Sequence, residues 1–194
     1  MKTIFKKLMP AIFIAILSIS LMGCGAKPDE TAKNFLEAIK QQDIQKAASL
    51  VKDNSSKKEL KFDNKEQEKI VKAIFSKVDY SLGEVEKKGD TATVKASITS
   101  IDLPKITGKM ITELLPTMMS QAFSEGKVDE KKQETMVLEH MLKSINDAKA
   151  AKTKTDVTIK LVKNDKGWLI EPNEELINAL TGNFYSATKQ LQGK

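Results

Sequence analysis

Apolar residues recur at helical spacing in the first part of the chain. They fall three or four positions apart over residues 28–39, and a second such run follows Asp43, a residue type that caps helices. Pro28 suits the first turn of the first helix. A polar stretch over residues 53–61 predicts a loop, and the apolar residues within 62–75 predict a third helix. The pattern therefore indicates two packed helices, a loop and a further helix.

Two later segments alternate apolar and polar residues, which is typical of strands with one buried face. The first segment covers residues 80–98 around a turn at 87–90, and the second covers residues 157–170 around a turn at 164–167. Each segment predicts a β-hairpin. Because Trp168 is in phase with the apolar positions of its strand, we expect its side chain to be buried.

The chain between the two hairpins is predicted to be mostly helical. Apolar residues form one stripe on each of two helices, which indicates an antiparallel helical hairpin inserted over residues 104–150. The stripes are Met110, Leu114, Met118 and Ala122 on the first helix, and Leu138, Met141, Leu142 and Ile145 on the second. We expect Pro116 to kink the first helix or to restart it. After the second hairpin, residues 174–180 predict a short helix closed by Gly182.

The first 23 residues have the layout of a secretion signal. Three lysines and no acid flank an apolar run over residues 8–22, and these 15 residues are short for a bilayer span of about 20. The run ends in the tetrapeptide 21–24, Leu-Met-Gly-Cys, which resembles the lipobox of bacterial lipoproteins. The resemblance implies cleavage between Gly23 and Cys24 and transfer of diacylglycerol to the Cys24 thiol. The alternative is an uncleaved membrane anchor with an incidental cysteine.

Lipid on Cys24 would hold the exported protein on the extracytoplasmic face of the cell membrane through a tether over residues 24–27. Two acyl chains give durable anchoring, whereas one chain gives only reversible binding. Cleavage of 23 residues from 194 leaves 171, which fits a single domain over residues 28–194. Cys24 is the only cysteine, so the sequence excludes an intramolecular disulfide and a thiolate metal site.

The basic residues argue against a nucleic-acid partner. The precursor has 32 basic and 26 acidic residues, and loss of the three signal lysines leaves 29 basic residues and a formal charge of +3. All 32 are lysine, whereas arginine is the residue suited to bidentate phosphate contacts and to stacking on bases. We therefore expect no nucleic-acid binding.

Few residues are candidates for catalysis. His140, the only histidine, lies beside the apolar stripe of its predicted helix, so we expect it at the boundary of the core. Asp79 and Tyr80 open a strand and could face a cavity, but Tyr80 is in phase with Leu82, which favours the core. The sequence has no spacing typical of a catalytic nucleophile, a phosphate loop or a metal site. We therefore expect no enzymatic activity, no cofactor and no metal.

The methionines outside the signal segment all fall in the predicted helical pair. They are Met110, Met118, Met119, Met136 and Met141. Methionine fills irregular gaps in cores and also adapts to varied partners. Two interpretations therefore stay open. These side chains form core that covers the sheet, or they form a binding surface for a lipid, a peptide or another subunit.

Three groups of residues together resemble a known family. They are the opening Pro28-Asp29-Glu30-Thr31 with Phe35, Leu36, Ala38, Asp43 and Ala47, the strand start Gly89-Asp90-Thr91-Ala92-Thr93-Val94, and the closing Lys166-Gly167-Trp168-Leu169-Ile170. The chain resembles, over most of residues 28–182, lipoproteins of Gram-positive bacteria with the cystatin-like cone fold of nuclear transport factor two and ketosteroid isomerase. The resemblance implies an α+β fold: a curved antiparallel sheet of about four strands, N-terminal helices packed on it, and a cavity between.

These observations predict a membrane-anchored extracytoplasmic lipoprotein that binds a protein or an apolar ligand, or acts structurally in the cell envelope. One alternative is an enzyme on the same fold, which a buried polar pair in the cavity would favour. The other is a solute-binding lipoprotein of a transporter, a class that usually has two lobes and a longer chain.

Overall fold

A computed structural model describes residues 27–52, 65–123, 130–165 and 167–191. The helices are α1 (Pro28–Lys40), α2 (Ile44–Ser49), α3 (Lys65–Phe75), α4 (Leu103–Phe123), α5 (Glu130–Asn146), α6 (Glu174–Leu180) and α7 (Phe184–Leu191). The strands are β1 (Asp79–Lys88), β2 (Thr91–Ile101), β3 (Lys152–Asn164) and β4 (Gly167–Glu171). The predicted secretion signal, its cleavage site at Gly23 and Cys24, and the predicted loop over 53–61 lie outside the described residues.

The fold is mixed α+β, with one antiparallel sheet whose four strands follow chain order. Both predicted hairpins are confirmed, with turns between β1 and β2 and between β3 and β4. The register of β1 shifts between Leu82 and Val85. Val85 pairs with Val94 and so shares a face with the core residues of β2, but its side chain is exposed near the end of this edge strand.

One face of the sheet forms the main core with α1 and α6. The buried strand positions alternate as predicted: Ala92, Val94, Ala96 and Ile98 on β2, Val157, Ile159 and Leu161 on β3, and Trp168 and Ile170 on β4. Burial of Trp168 is confirmed. Leu36 of α1 and Ala179 of α6 have no exposed surface, so the helices cover this face closely. The opposite face of β2 and β3 carries threonine, serine, lysine and aspartate, the polar half of the same alternation.

Helix α1 runs along the sheet in a defined direction. At its C-terminal end, Lys40 Nζ lies 3.0 Å from Asp79 Oδ1 at the start of β1. Helix α2 then returns toward the other end of the sheet, where the N–H of Lys52 donates to Ile170 O at 2.8 Å. Thirteen residues give α1 a length of roughly 20 Å. Helix α1 also packs on β4, which pairs with the last residues of β3, so it runs from the side of the sheet that holds β4 to the start of β1.

The first helix of the inserted pair differs from its prediction. Helix α4 runs unbroken from Leu103 to Phe123, so Pro116 lies inside it and does not restart it. Pro116 is exposed, which leaves water free to solvate the carbonyl group that loses its amide donor. Within the predicted stripe, Met110 and Leu114 are buried, but Met118 is exposed. The residues of the predicted stripe are therefore buried as far as Leu114, and Met118 beyond it is exposed.

The segment after Gly182 forms α7, an element that the sequence analysis did not predict. Gly182 has a φ of +58°, and a Cβ atom built on it would lie 1.6 Å from Ile101 O. Only glycine fits this junction, because other residues disfavour the conformation and lack the space. The glycine thus brings the end of α6 against the end of β2, and Phe184 packs on the base of α4.

Candidate functional site

Helices α4 and α5 together form an arm that leaves the sheet between β2 and β3. The N–H of Asp102 donates to Ala151 O at 2.9 Å, which closes the base of the arm. The Asp102 side chain accepts from the Lys105 N–H at 3.1 Å, and it thereby caps the start of α4. A second apolar cluster fixes the base: Ile74, Ile101, Leu103, Ile106 and Ile145. The base is therefore rigidly joined to the end of the sheet where α1 terminates.

Polar contacts join the two helices further out. His140 Nε2 lies 3.1 Å from Glu113 Oε2, and Gln133 Nε2 donates to Gln121 Oε1 at 3.2 Å. These pairs confirm the antiparallel helical hairpin. His140 is partly buried, as its boundary position predicted, and Ser144 Oγ lies 3.4 Å from its Nδ1 atom. The sequence could not show Glu113 as the partner, because pairing across a hairpin depends on its loop length and on helix rotation.

An apolar stripe lies exposed on α4, and we call it the outer stripe. It consists of Ile111, Leu115, Met118, Met119 and Phe123, whose exposed fractions range from 36% to 81%. Their spacing places them on one side of the helix, turned away from the positions that contact α5. Large apolar side chains grouped in this way on a surface are typical of an interaction site.

The five predicted methionines divide between core and surface. Met110 is only 8% exposed, so it belongs to the packing of the arm. Met118 and Met119 are exposed and form part of the outer stripe. Met136 and Met141 are half-buried, and Met141 packs on the cluster at the base. The sequence analysis missed the other members of the outer stripe, although their spacing from Met118 could have indicated them.

A cleft of about 450 Å³ lies between α4 and α5 near the base of the arm. Its lining includes four lysines: Lys105, Lys109, Lys143 and Lys149. Two of the ammonium groups have carboxylate partners, because Lys105 pairs with Asp102 and Lys109 with Glu113. The cleft is thus positive overall, but half of its lysines are partly neutralised.

The remaining catalytic candidates are engaged in structural contacts. Tyr80 packs against the main core, and its hydroxyl donates to Glu37 Oε2 of α1 at 3.1 Å. Burial, followed by the neighbouring Glu37 carboxylate, raises the pKa of Tyr80. Asp79 is exposed and pairs with Lys40, and this contact lowers the pKa of Asp79. The two side chains therefore join β1 to α1 and are not gathered around a common cavity.

The open face of the sheet has a groove of about 560 Å³. The Ser97 hydroxyl donates to the Asp156 carboxylate in its floor, and Lys95 pairs with Glu84 beside it.

Within the described ranges, no group of three or more His, Cys, Asp or Glu side chains is arranged to hold a metal ion. None of the helices in those ranges is both long and apolar enough to cross a membrane.

Comparison with known proteins adds a distant likeness to a solved structure. No protein-family model matches the chain, and no curated protein matches it. Among solved structures, the chain is similar to YcdA of Bacillus subtilis, described as a candidate lipoprotein, with 16% identity and a TM-score of 0.45. The match covers 80% of this chain and 46% of that one, so this chain spans a little under half of the other. A likeness at this level assigns neither fold nor function.

Proposed function

We propose that this protein is a membrane-anchored extracytoplasmic lipoprotein and a non-enzymatic binding module whose contact surface is the outer stripe of the arm. The observation that carries the proposal is the exposure of five large apolar side chains on α4. Leaving such a surface in water is unfavourable, so a partner that covers it gains free energy.

The domain is assigned by this proposal to the cystatin-like cone class. In support, an N-terminal helix packs on one face of a four-stranded antiparallel sheet, as in that class. The space between the sheet and α1 is filled by side chains without exposed surface, Leu36, Val94 and Ile159 among them. A filled interior favours a module that binds through its surface over an enzyme that acts within a cavity.

The direction of α1 gives the anchored protein a defined orientation. Cys24 precedes Lys27 by three residues, a distance of at most roughly 11 Å. Helix α1 packs on β4 and ends at the start of β1, and the arm leaves the end of the sheet where α1 terminates. Lipid on Cys24 would therefore hold the start of α1 near the bilayer, with the base of the arm beside the other end of that helix. A partner at the outer stripe would then meet the arm outside the membrane.

Metabolic labelling with a fatty-acid analogue tests the anchor on the full chain. We expect the wild-type protein to incorporate label and to stay with the membrane fraction. Cys24→Ala should incorporate none, because no other thiol is present. A labelled Cys24→Ala protein would refute lipidation at this residue. Lys27→Ala, changed within the same short segment, serves as the matched control and should be labelled like the wild type.

A further inference from the structure

We propose that two copies of this protein, anchored in the same membrane, pair through their outer stripes with the two α4 helices parallel. This inference rests on the proposed lipid anchor, and it names the partner of the binding surface as a second copy of the chain.

The spacing of the outer stripe fits pairing between helices. Ile111, Leu115 and Met118 are separated by four and then three residues, the alternation that keeps a seam facing a second helix. Met119 and Phe123 widen the seam toward the tip of the arm. Two such helices can bury these side chains against each other without a change in backbone conformation.

The charges on α4 favour a second copy over an oppositely charged partner. Residues 114–123 carry no charged side chain, so two identical helices can approach there without repulsion between like charges. The charges of α4 lie nearer the base, where Lys109 pairs with Glu113 of the same helix. Helix α5, by contrast, carries many exposed charges along its outer turns. Pairing is therefore expected through α4.

The short tether matches the two arms in height. Every anchored copy has the same two residues between Cys24 and Lys27, so neighbouring arms stand at about the same distance from the bilayer. A two-fold axis along the membrane normal then brings each side chain of the stripe opposite its own counterpart. The seam is smaller than an ordinary interface of roughly 20–30 residues on each side. Confinement to one membrane compensates by raising the effective concentration of the partner.

Cysteine cross-linking in membranes tests this arrangement on the full-length protein. Leu115 lies at the centre of the outer stripe, and Ser120 is exposed about 140° around the same helix. Cys24 carries no free thiol once lipidated, so each variant has a single reactive cysteine. Under mild oxidation we expect Leu115→Cys to give a disulfide-linked dimer at least five-fold more abundantly than Ser120→Cys. Detergent solubilisation and dilution before oxidation should abolish the difference.

Each other outcome has a defined meaning. Equal cross-linking of Leu115→Cys and Ser120→Cys would overturn the proposal, as would cross-linking of neither. A Leu115→Cys adduct of a mass other than twice the chain would also overturn it, because the partner would be a different protein. Cross-linking of the wild type would show a free thiol on Cys24, which refutes the anchor and not the pairing surface. The Leu115→Cys, Cys24→Ala double variant, with its anchor absent, should lose the dimer.

Discussion

Ser100 shows how one hydroxyl joins the sheet to the helices. It is fully buried, and its Oγ donates to Ala179 O at 2.7 Å. Ala179 lies in the last turn of α6, where backbone carbonyls have no intrahelical donor. The serine therefore satisfies a buried acceptor that the helix itself leaves open.

We expect Ser100→Ala to lower the free energy of unfolding by about 1–3 kcal/mol, because the Ala179 carbonyl would be buried without a donor. Urea denaturation followed by Trp168 fluorescence measures the change. Ser97→Ala is the matched control, since Ser97 lies on the exposed face of the same strand and should change stability by about 0.5 kcal/mol at most. Equal losses in the two variants would show that the buried hydrogen bond contributes nothing specific.

At single residues, sequence reasoning succeeded where a regular period ran without interruption. Alternation identified Val94 and Trp168 as buried, because side chains of a strand must point to opposite faces. It gave no sign of the register shift between Leu82 and Val85, because a β-bulge depends on how the strand pairs with its neighbour. The contact between Glu113 and His140 could not be predicted from the sequence, because it depends on how the two helices are rotated relative to each other.

At the scale of elements, the arm separates buried from exposed methionines on one helix. Met110 is buried, and Met118 lies two turns further on in the outer stripe. We expect Met110→Gln to lower the free energy of unfolding by about 2–4 kcal/mol, because it places an amide among apolar side chains. Met118→Gln should change it by about 0.5 kcal/mol or less. Thermal melts of the two variants, with the wild type, provide the comparison.

The same pair tests the two interpretations of the methionines. Because both changes are Met to Gln in α4, helix propensity is matched and only burial differs. A large loss of stability in Met118→Gln would mean that the outer stripe is core, and the binding surface would have to be abandoned. The sequence placed all five methionines in the helical pair, but the side of α4 that faces inward depends on the packing of its base.

The accuracy of the predicted helix boundaries depended on how specific the residue at each boundary was. Asp43 caps α2 as predicted, since its carboxylate accepts from the Lys46 N–H at 3.0 Å. Pro116 does not restart α4, because an exposed proline is tolerated inside a helix whose neighbouring turns are held by packing. Helix α7 was missed even though Phe184 and Ala187 follow Gly182 with helical spacing. Its position depends on contact between Phe184 and the apolar cluster at the base of the arm, and the spacing of apolar residues along the helix does not predict that contact.

Across the whole molecule, three exposed ion pairs join different elements. Lys40 pairs with Asp79 between α1 and β1, Lys95 with Glu84 between β2 and β1, and Lys189 with Glu174 between α7 and α6. Hydrogen bonding to lysine is the main cause that lowers the pKa of each carboxyl group. The same contacts raise the pKa of each lysine. Folding stability must therefore depend on pH at both ends of the scale.

The direction of that dependence follows from proton binding. A carboxylate whose pKa is lowered on folding stabilises the protein above the unfolded value of about 4, and the effect disappears as the pH falls through the folded pKa. A lysine whose pKa is raised stabilises the protein below about 10.4, and the effect disappears as the pH rises through the folded pKa. The ion pairs should therefore contribute between about pH 5 and pH 10.

We expect the triple variant Asp79→Asn, Glu84→Gln, Glu174→Gln to melt a few degrees below the wild type at pH 7, as three weak surface pairs allow. The difference should shrink toward zero below about pH 3, where the carboxylates of the wild type take up protons, and again above about pH 11. It should also shrink in 1 M salt, which screens exposed charges. The matched control is Glu134→Gln, Glu139→Gln, Asp165→Asn, which removes three exposed carboxylates that have no ion pair within the described residues. A pH-independent difference, or the same profile in the control, would show that net charge and not pairing sets the acid stability.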